Sequence, residues 1–267
     1  MCKISVIMGV YNSKNKQLLK ESIYSIINQT YKDWEFIICD DGSRDDTYEY
    51  IKEITNFDNR IKLIKNNKNL GLAATLNKCI RISKGTYIAR QDADDISIDT
   101  RLVEQKNFLE KNIQYDLVGS SVYLISDNKI WGVRKMKLKP QIKDFLWGSQ
   151  FVHPSVMFKR EPLLGVGCYR VSQETIRGQD YDLFMRMYSN GSIGYNIPEK
   201  LLKFTENIDS YKRKKYKYRI AEAIIRYKGF KKLNLLPKGY LFILKPLIIG
   251  LIPSSIQKYL RNLLNNH

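Results

Sequence analysis

Thr86-Tyr-Ile-Ala-Arg-Gln-Asp-Ala-Asp-Asp95 joins a short apolar run of strand type to three carboxylates within four residues. Alternation at a strand end or in a tight turn can point Asp92 and Asp94 to one side, where two oxygens converge on one hard cation. Carboxylates suit Mg²⁺ or Mn²⁺, and these ions commonly share their coordination with phosphate oxygens. A merely solvated acidic loop is the alternative. The position after a strand favours a nucleotide-diphosphate site, because open α/β sheets bind ligands outside the carboxyl ends of their strands.

Short apolar runs alternate with amphipathic segments around this stretch. Strands are predicted at residues 3–8, 34–39, 61–64 and 86–90. Helices are predicted at residues 17–28, 45–54 and 73–83. Ser43 followed by Asp46 predicts a capping box at the start of the second helix. The succession predicts an α/β fold with a parallel sheet covered on both faces.

Two polar loops, residues 9–13 and 40–43, also follow the carboxyl ends of predicted strands. In one parallel sheet these two loops and the acidic cluster reach the same edge, so they form a single site from three distant pieces. A Gly-x-Gly-x-x-Gly turn after the first strand is absent, which argues against a dehydrogenase. A sugar nucleotidyltransferase remains an alternative.

The second half of the chain is less regular. A helix is predicted at residues 101–111 and a strand at 116–125, and Pro154 favours an extended segment at 151–158. A further helix begins near Gly178, and its first turn carries Asp180 and Asp182, which suits the positive end of a helix dipole.

The net charge of the 267-residue chain is +18, and it is unevenly distributed. Residues 200–267 contain 16 Lys and Arg against 3 acidic residues. The basic, aromatic run 211–219 could bind nucleic-acid phosphates. The apolar run 239–253 that follows is too interrupted by lysine and proline to span a bilayer. It indicates an interfacial element beside lysines that face anionic headgroups, with an amphipathic helix at 256–264. The alternative is that these apolar residues cover the core.

The four cysteines lie far apart without a paired motif, and the first strand begins within a few residues of Met1. Cys39 and Cys79 lie in apolar runs and are predicted to be small core residues. We therefore expect no disulfide framework and no signal peptide, in keeping with a reducing, cytoplasmic location.

Five pieces of the chain occur together in one order over about residues 3–190. They are Ser5-Val-Ile-Met-Gly-Val-Tyr-Asn12, Asp40-Asp-Gly-Ser43, residues 69–77, the acidic cluster and Gln179-Asp180. This set resembles the inverting glycosyltransferases of family 2, of the bacterial surface-polysaccharide type. The resemblance implies a GT-A fold, with a Rossmann-like nucleotide-binding half, a mostly parallel central sheet, an acceptor-side region and a basic, apolar helical tail. The catalytic domain is then expected at residues 1–205 (1–96 for the donor, 97–205 for the acceptor) and the membrane-associating region at 206–267.

The resemblance assigns donor-site roles that spacing alone does not. It places Val10, Tyr11 and Asn12 in the nucleotide pocket. Asp40 would accept a hydrogen bond from the uracil imide, and Asp41 would support the loop or the ribose. Asn69 and Asn77 are further candidates, for which helix or turn hydrogen bonding is an equally good explanation.

The resemblance also assigns the metal ion, the base and the acceptor side. Asp94 would bind Mn²⁺ or Mg²⁺, Asp92 would hold the sugar or ribose, and Asp95 would support them. Asp180 would be the catalytic base, although Gln179 departs from the usual Glu and lacks the charge that would tune a neighbouring carboxylate. His153 resembles an acceptor-side position, with a structural role as the alternative.

The predicted function follows from these assignments. The resemblance implies transfer of a sugar, expected to be a UDP-hexose, to a saccharide or lipid-linked acceptor in surface-polysaccharide synthesis. The Gln-x-x-Arg-Trp element of polymerising members is absent, so a single addition is expected. The tail predicts a peripheral enzyme on the cytoplasmic face of the membrane that binds an anionic surface. A basic nucleic-acid-binding protein is the less favoured alternative, because the charge lies beside an apolar tail.

Overall fold

A computed structural model describes residues 2–126, 129–206 and 216–251. The strands are β1 Ile4–Val10, β2 Trp34–Asp40, β3 Ile61–Lys65, β4 Tyr87–Arg90, β5 Ile96–Ser97, β6 Leu117–Ser126, β7 Lys129–Arg134, β8 Met157–Lys159 and β9 Gly194–Thr205. The α-helices are α1 Lys16–Ile27, α2 Thr47–Thr55, α3 Leu72–Ile82, α4 Arg101–Lys111, α5 Arg160–Gly165, α6 Gln179–Ser189, α7 Tyr216–Lys232 and α8 Tyr240–Leu251. Three short 3₁₀ helices lie at Ile142–Leu146, His153–Ser155 and Glu174–Arg177.

The described strands form one sheet in the order β3-β2-β1-β4-β8-β6-β9-β5, with β7 paired to β6. β1 pairs in parallel with both β2 and β4, and β2 pairs in parallel with β3. Antiparallel pairs begin at β8, and β6 and β9 form a further long parallel pair. The predicted α/β class with a mostly parallel sheet is confirmed.

Strand β1 shows why the sheet is covered on both faces. Its side chains alternate, so that Val6 and Met8 join one hydrophobic core while Ile7 joins the other. All three are fully buried. This period-2 alternation in an apolar run is what a strand between two helical layers requires. The register pairs Val10 with Asp40, which brings the first two polar loops level with each other.

The C-terminal helices α7 and α8 pack on the hydrophobic core and on each other. Gly229 of α7 lies directly against Met185 of α6, where a Cβ atom would meet the sulfur at 2.3 Å. Gly250 near the end of α8 lies beside Tyr216 at the start of α7, so the two helices form an antiparallel hairpin. Ile243 is buried against the core. One face of the apolar run therefore covers the core, as the alternative prediction held.

Within the three described ranges, no helix combines the length and the apolar character needed to cross a membrane. Residues 211–215 of the basic run 211–219 and the predicted amphipathic helix at 256–264 lie outside the described residues, whereas residues 216–219 begin α7.

Two local predictions are wrong. Ser43 does not cap α2, because its hydroxyl accepts a hydrogen bond from the Asn12 backbone N–H at 2.9 Å. The N-cap of that helix is Asp46, without a side-chain capping bond. The predicted extended segment at 151–158 is wrong at His153–Ser155, which form a 3₁₀ turn, since proline also fits the first turn of a helix. Its end is extended, because Met157 and Phe158 belong to β8.

Candidate active site

A cavity of about 560 Å³ opens at the edge of the sheet where β1 and β4 end. Its volume lies within the roughly 300–1,000 Å³ typical of small-molecule sites. The walls come from the loop after β1, the start of α3, the acidic cluster and the ends of β6 and β9. The lining residues are Gly9, Val10, Tyr11, Ser13, Lys14, Asn15, Leu18, Leu72, Asp92, Ala93, Asp94, Ile125, Ser126 and Thr205.

The acidic cluster lies at one wall of this cavity. One carboxylate oxygen from each of Asp92, Asp94 and Asp95 lies within 4.8 Å of the other two. Asp94 is exposed to the cavity, Asp92 is half-buried and Asp95 is buried. Two ligands on opposite sides of a Mg²⁺ ion are about 4.2 Å apart, so these oxygens are close to the spacing of a shared cation.

Buried cationic side chains hold the acidic cluster from behind. Arg90, fully buried at the end of β4, donates to an Asp92 carboxylate oxygen and to the Gln91 carbonyl. Arg101 of α4 is equally buried and donates to the Arg90 carbonyl at 2.7 Å and to the Gln91 side chain at 3.0 Å. Burial lowers the pKa of Arg101 to about 9, which still leaves it charged near neutral pH. The turn that carries the carboxylates therefore has a rigid polar base.

Strand β9 holds the cluster from the other side. The Thr205 backbone N–H donates to Asp95 Oδ1 at 2.8 Å, and the Thr205 hydroxyl donates to the Asp94 carbonyl. The Ser22 hydroxyl of α1 donates to the Asp92 carbonyl at 2.7 Å. These contacts fix the backbone of the turn without engaging the outward carboxylate of Asp94.

The three carboxylates of the acidic cluster fit a divalent cation. The cavity wall removes part of the bulk water around Asp94, and this desolvation together with the neighbouring Asp92 raises the pKa of Asp94 to about 6. Burial and both neighbours raise the pKa of Asp95. Asp95 Oδ2 is buried and has no hydrogen-bond partner among the described residues. Crowded carboxylates with an unpartnered oxygen are stabilised by a shared positive charge, and an all-oxygen set suits Mg²⁺ or Mn²⁺.

The loop after β1 meets the loop after β2, as predicted. Asn12 has a left-handed backbone (φ 44°), which asparagine tolerates better than most residues, and its side-chain oxygen accepts from the Arg44 N–H at 2.9 Å. Val10 is buried and Tyr11 is 44% exposed, so the Tyr11 ring is available to a ligand. Asp40 is fully buried; its Oδ1 accepts from the Ser43 N–H, and its Oδ2 has no partner among the described residues.

Asp41 supports the neighbouring loop. Its carboxylate accepts from the Asn66 amide at 2.8 Å and from the backbone N–H groups of Leu70 and Gly71 at 2.9 and 2.8 Å. Both of its oxygens are thus used by the segment that leads into α3. Gly42 beside it is required by a left-handed φ of 72° and by the Lys68 backbone 2.5 Å from where a Cβ would lie.

The two predicted asparagines lie apart from the cavity lining. Asn69 is exposed on the loop before α3. The Asn77 side chain bonds both backbone groups of Tyr169, donating to its carbonyl at 2.7 Å and accepting from its N–H at 3.0 Å. The hydrogen-bonding explanation therefore describes Asn77 well.

Asp180 lies in the first turn of α6 and lines a second cavity of about 200 Å³. The opposite wall of this second cavity is α7, through Tyr218, Ala221, Glu222, Ile225 and Arg226. The neighbouring Asp182 is buried between Arg170 and Arg186, with N–O distances of 2.8 and 2.7 Å. Asp182 is thus held by two ion pairs, and Asp180 forms part of the cavity lining.

His153 and Tyr169 form a buried pair, with His153 Nε2 2.7 Å from the Tyr169 hydroxyl. Burial, followed by the charge of Arg90, lowers the pKa of His153 well below its usual value, so its ring is neutral near pH 7. Burial raises the pKa of Tyr169, and Asp180 and Asp92 both add to that shift. His153 lines neither of the two cavities. The Tyr169 hydroxyl therefore lies close enough to Asp180 and Asp92 for both charges to act on it.

Sequence reasoning missed Arg90, Arg101 and Thr205. An arginine that ends a buried strand next to three carboxylates is a signal that could have identified Arg90. Thr205 carries no comparable signal, because it reaches Asp95 across 110 residues of sequence.

Comparison with known proteins gives concordant results. The family model described as Glycosyl transferase family 2 matches residues 5–166. The Bacillus subtilis (strain 168) protein EpsE, whose name provisionally assigns it to the glycosyltransferases, is 39% identical over 255 residues, covering 95% of this chain and 91% of EpsE. WfaP of Escherichia coli, a UDP-Glc:alpha-D-GlcNAc-diphosphoundecaprenol beta-1,3-glucosyltransferase, is 31% identical over 230 residues, covering 86% of this chain and 82% of WfaP.

Solved structures share the fold. S. aureus TarS 1–349 in complex with UDP-GlcNAc has a TM-score of 0.72 and 14% identity, covering 96% of this chain and 77% of that chain. The mannosyltransferase PcManGT of Pyrobaculum calidifontis, in complex with GDP-Man and Mn²⁺, has a TM-score of 0.62 and 17% identity, covering 100% of this chain and 81% of that one. At these identities the comparison establishes the architecture of the sheet and helices.

Proposed function

This chain belongs to glycosyl transferase family 2 and is a glycosyltransferase with the GT-A fold, and we propose that it transfers a hexose from a UDP-sugar, with inversion, to a lipid-linked saccharide. The observation that carries the proposal is the Asp92, Asp94 and Asp95 cluster on the wall of the large cavity. A nucleotide diphosphate placed there would meet the carboxylates through a shared divalent cation. WfaP is named for UDP-Glc, and TarS was crystallised with UDP-GlcNAc, which supports a UDP donor.

The donor would lie with its base towards the loops after β1 and β2. In this proposal Asp40 Oδ2, which is buried and has no partner among the described residues, accepts a hydrogen bond from an imide N–H, because a buried acceptor gains most from such a partner. The partly exposed Tyr11 offers an aromatic face to a base. Asp41 and Asn12 act on the donor indirectly, because they connect and support the two loops.

The metal ion would be held chiefly by Asp94, with Asp95 beside it and Asp92 turned towards the sugar or ribose. When bound, such an ion neutralises charge on the departing diphosphate. Arg90 and Thr205 would hold the carboxylates in position for this task, since each donates a hydrogen bond to a carboxylate of the acidic turn.

Asp180 is the base in this proposal. Its carboxylate takes the proton of the acceptor hydroxyl while that oxygen attacks the anomeric carbon from the side opposite the diphosphate, so one bond forms as the other breaks. Its place in the second cavity supports this role, because the acceptor must approach from another direction than the donor. Asp182 is a poorer candidate, as two guanidinium groups already hold it.

The acceptor class rests on the relatives. WfaP is named for a diphosphoundecaprenol-linked acceptor, and AmsE of Erwinia amylovora, 26% identical over 265 residues, is named for amylovoran biosynthesis. We place this chain in surface-polysaccharide synthesis on that basis, acting peripherally on the cytoplasmic face of the membrane.

The decisive experiment is a screen of UDP- and GDP-sugars with the full chain, Mn²⁺ and diphosphoundecaprenol-linked saccharides. We expect one UDP-hexose to be consumed, and the product to have the anomeric configuration opposite to the donor by NMR. Retention of configuration would refute single displacement. Transfer from GDP-sugars alone would refute the assignment of the donor.

A further inference from the structure

The helical hairpin formed by α7 and α8, residues 216–251, exposes a dense set of apolar side chains. The large exposed apolar residues are Tyr216, Ile220, Tyr227, Tyr240, Leu241, Leu244 and Ile248. On α8, three of them lie at spacings of three and four residues, which places them on one stripe. Leu241 in that stripe is 78% exposed. The inward face of α8 already packs on the core, so this outer stripe has no partner among the described residues.

The hairpin is also strongly basic. Residues 216–251 contain eight Lys and Arg and a single acidic residue, Glu222, which is paired with Arg226 at 3.0 Å. Lys245 lies 5.5 Å from the centre of the Trp147 ring, and Trp147 is itself 67% exposed beside Phe242 of α8. An apolar stripe on a helix that also carries Lys245, packed beside an exposed tryptophan, has the composition of an element that lies in a membrane interface.

The length of α8 decides between lying on a bilayer and crossing it. Twelve helical residues extend about 18 Å, well short of the roughly 30 Å hydrocarbon thickness. A protein partner or a second copy could also cover an apolar stripe. The near absence of acidic residues and the abundance of lysine favour an anionic lipid surface, because each Lys or Arg close to such a surface adds to the free energy of binding.

We propose that the α7–α8 hairpin docks on an anionic phospholipid leaflet, with Leu241, Leu244 and Ile248 inserted at the headgroup boundary. The α7 helix of the same hairpin forms one wall of the Asp180 cavity. Docking therefore sets that cavity beside the lipid surface, where a lipid-carried acceptor enters it. This last step rests on the proposed function, whereas the docking does not.

Vesicle binding by the full chain tests the docking. Vesicles containing phosphatidylglycerol should bind the protein, and phosphatidylcholine vesicles should bind it far less, with binding weakened by salt. Replacing Leu241, Leu244 and Ile248 together by serine should weaken binding roughly 100-fold, because these side chains supply the apolar burial. The matched control replaces three exposed apolar loop residues elsewhere, Phe57, Ile113 and Ile193, by serine and should bind like the wild type.

The outcomes separate this inference from the proposed function. Wild-type binding by the α8 triple variant, or equal binding to both kinds of vesicle, would overturn the docking. So would a solution dimer that does not bind vesicles and that the α8 triple variant converts to a monomer, since the stripe would then face a second copy. If the α8 triple variant lost transfer to a vesicle-borne acceptor but still hydrolysed the sugar donor, the whole inference would be supported. Vesicle binding without turnover of any nucleotide sugar would leave the docking standing and refute the function.

Discussion

Replacing Asp41 with asparagine perturbs a side chain that accepts three hydrogen bonds from the segment before α3. The native carboxylate is 4% exposed and accepts three N–H donors, one from Asn66 and two from the backbone of Leu70 and Gly71. Asparagine has one oxygen. In its less harmful orientation that oxygen keeps the first two donors, and its NH₂ group confronts the Gly71 N–H.

The structure sets the size of the effect. A buried hydrogen bond to a charged acceptor contributes about 1.5–3 kcal/mol, and the Gly71 bond is lost entirely. The two remaining bonds lose the charge of their acceptor, and charge-assisted bonds are roughly twice as strong as neutral ones. Together the loss is about 3–5 kcal/mol, a large part of the roughly 5–15 kcal/mol that stabilises a native protein. UDP binding should weaken as well, because the affected segment leads into Leu72 of the donor cavity.

Urea unfolding followed by circular dichroism measures the loss. With a slope of about 3 kcal/mol per molar urea, the midpoint should fall by about 1–1.7 M. The control is Asp46→Asn, whose side chain is 74% exposed, makes no capping bond and pairs with Lys16 at the surface. Its effect should be within about 1 kcal/mol. Equal midpoints for both variants would show that the Asp41 carboxylate does not hold this loop.

Three further predictions concern the chemistry. Asp94→Ala should abolish the Mn²⁺ dependence of UDP binding by calorimetry, and unchanged metal-dependent affinity would contradict the metal assignment. Asp180→Asn should lower transfer by about 10²–10⁴-fold while UDP affinity persists, because the shape remains and the basicity does not; a near-normal rate would move the base elsewhere. Gln179→Glu should move the acidic limb of the kcat/KM profile to higher pH by on the order of one unit, because a neighbouring negative charge disfavours ionisation of the base. An unchanged profile would show that the charge of residue 179 does not affect ionisation of the catalytic base.

The α/β architecture could be predicted because its evidence is local. Apolar runs of period two and amphipathic segments of period 3.6 located the first four strands and three helices to within about two residues. The carboxyl ends of parallel strands necessarily share an edge, and this placed the loop after β1 beside the acidic cluster and the loop after β2 against the loop after β1. The predicted core positions of Cys39 and Cys79 are likewise confirmed, because both are fully buried.

The contacts that complete the site could not be predicted, because they join residues far apart in sequence. Ser43 satisfies the rule for a capping residue, but a donor 31 positions earlier takes its hydroxyl. Turn chemistry judged from four residues cannot include such a competitor. The apolar tail was ambiguous for a different reason: α8 uses one face for the core and leaves the other exposed, so both readings of the same residues were partly right.

The two hydrogen bonds between the Asn77 side chain and the Tyr169 backbone have a mechanical consequence. Asn77 belongs to α3, in the expected donor half, and Tyr169 precedes α6, in the expected acceptor half. The Asn77 side chain therefore links the two halves by a pair of hydrogen bonds, as neighbouring strands are linked in a sheet. A hinge opening at this point would break two short hydrogen bonds at once. We therefore expect opening at this point to be disfavoured, and substrate entry to involve surface segments rather than separation of α3 from the Tyr169 segment.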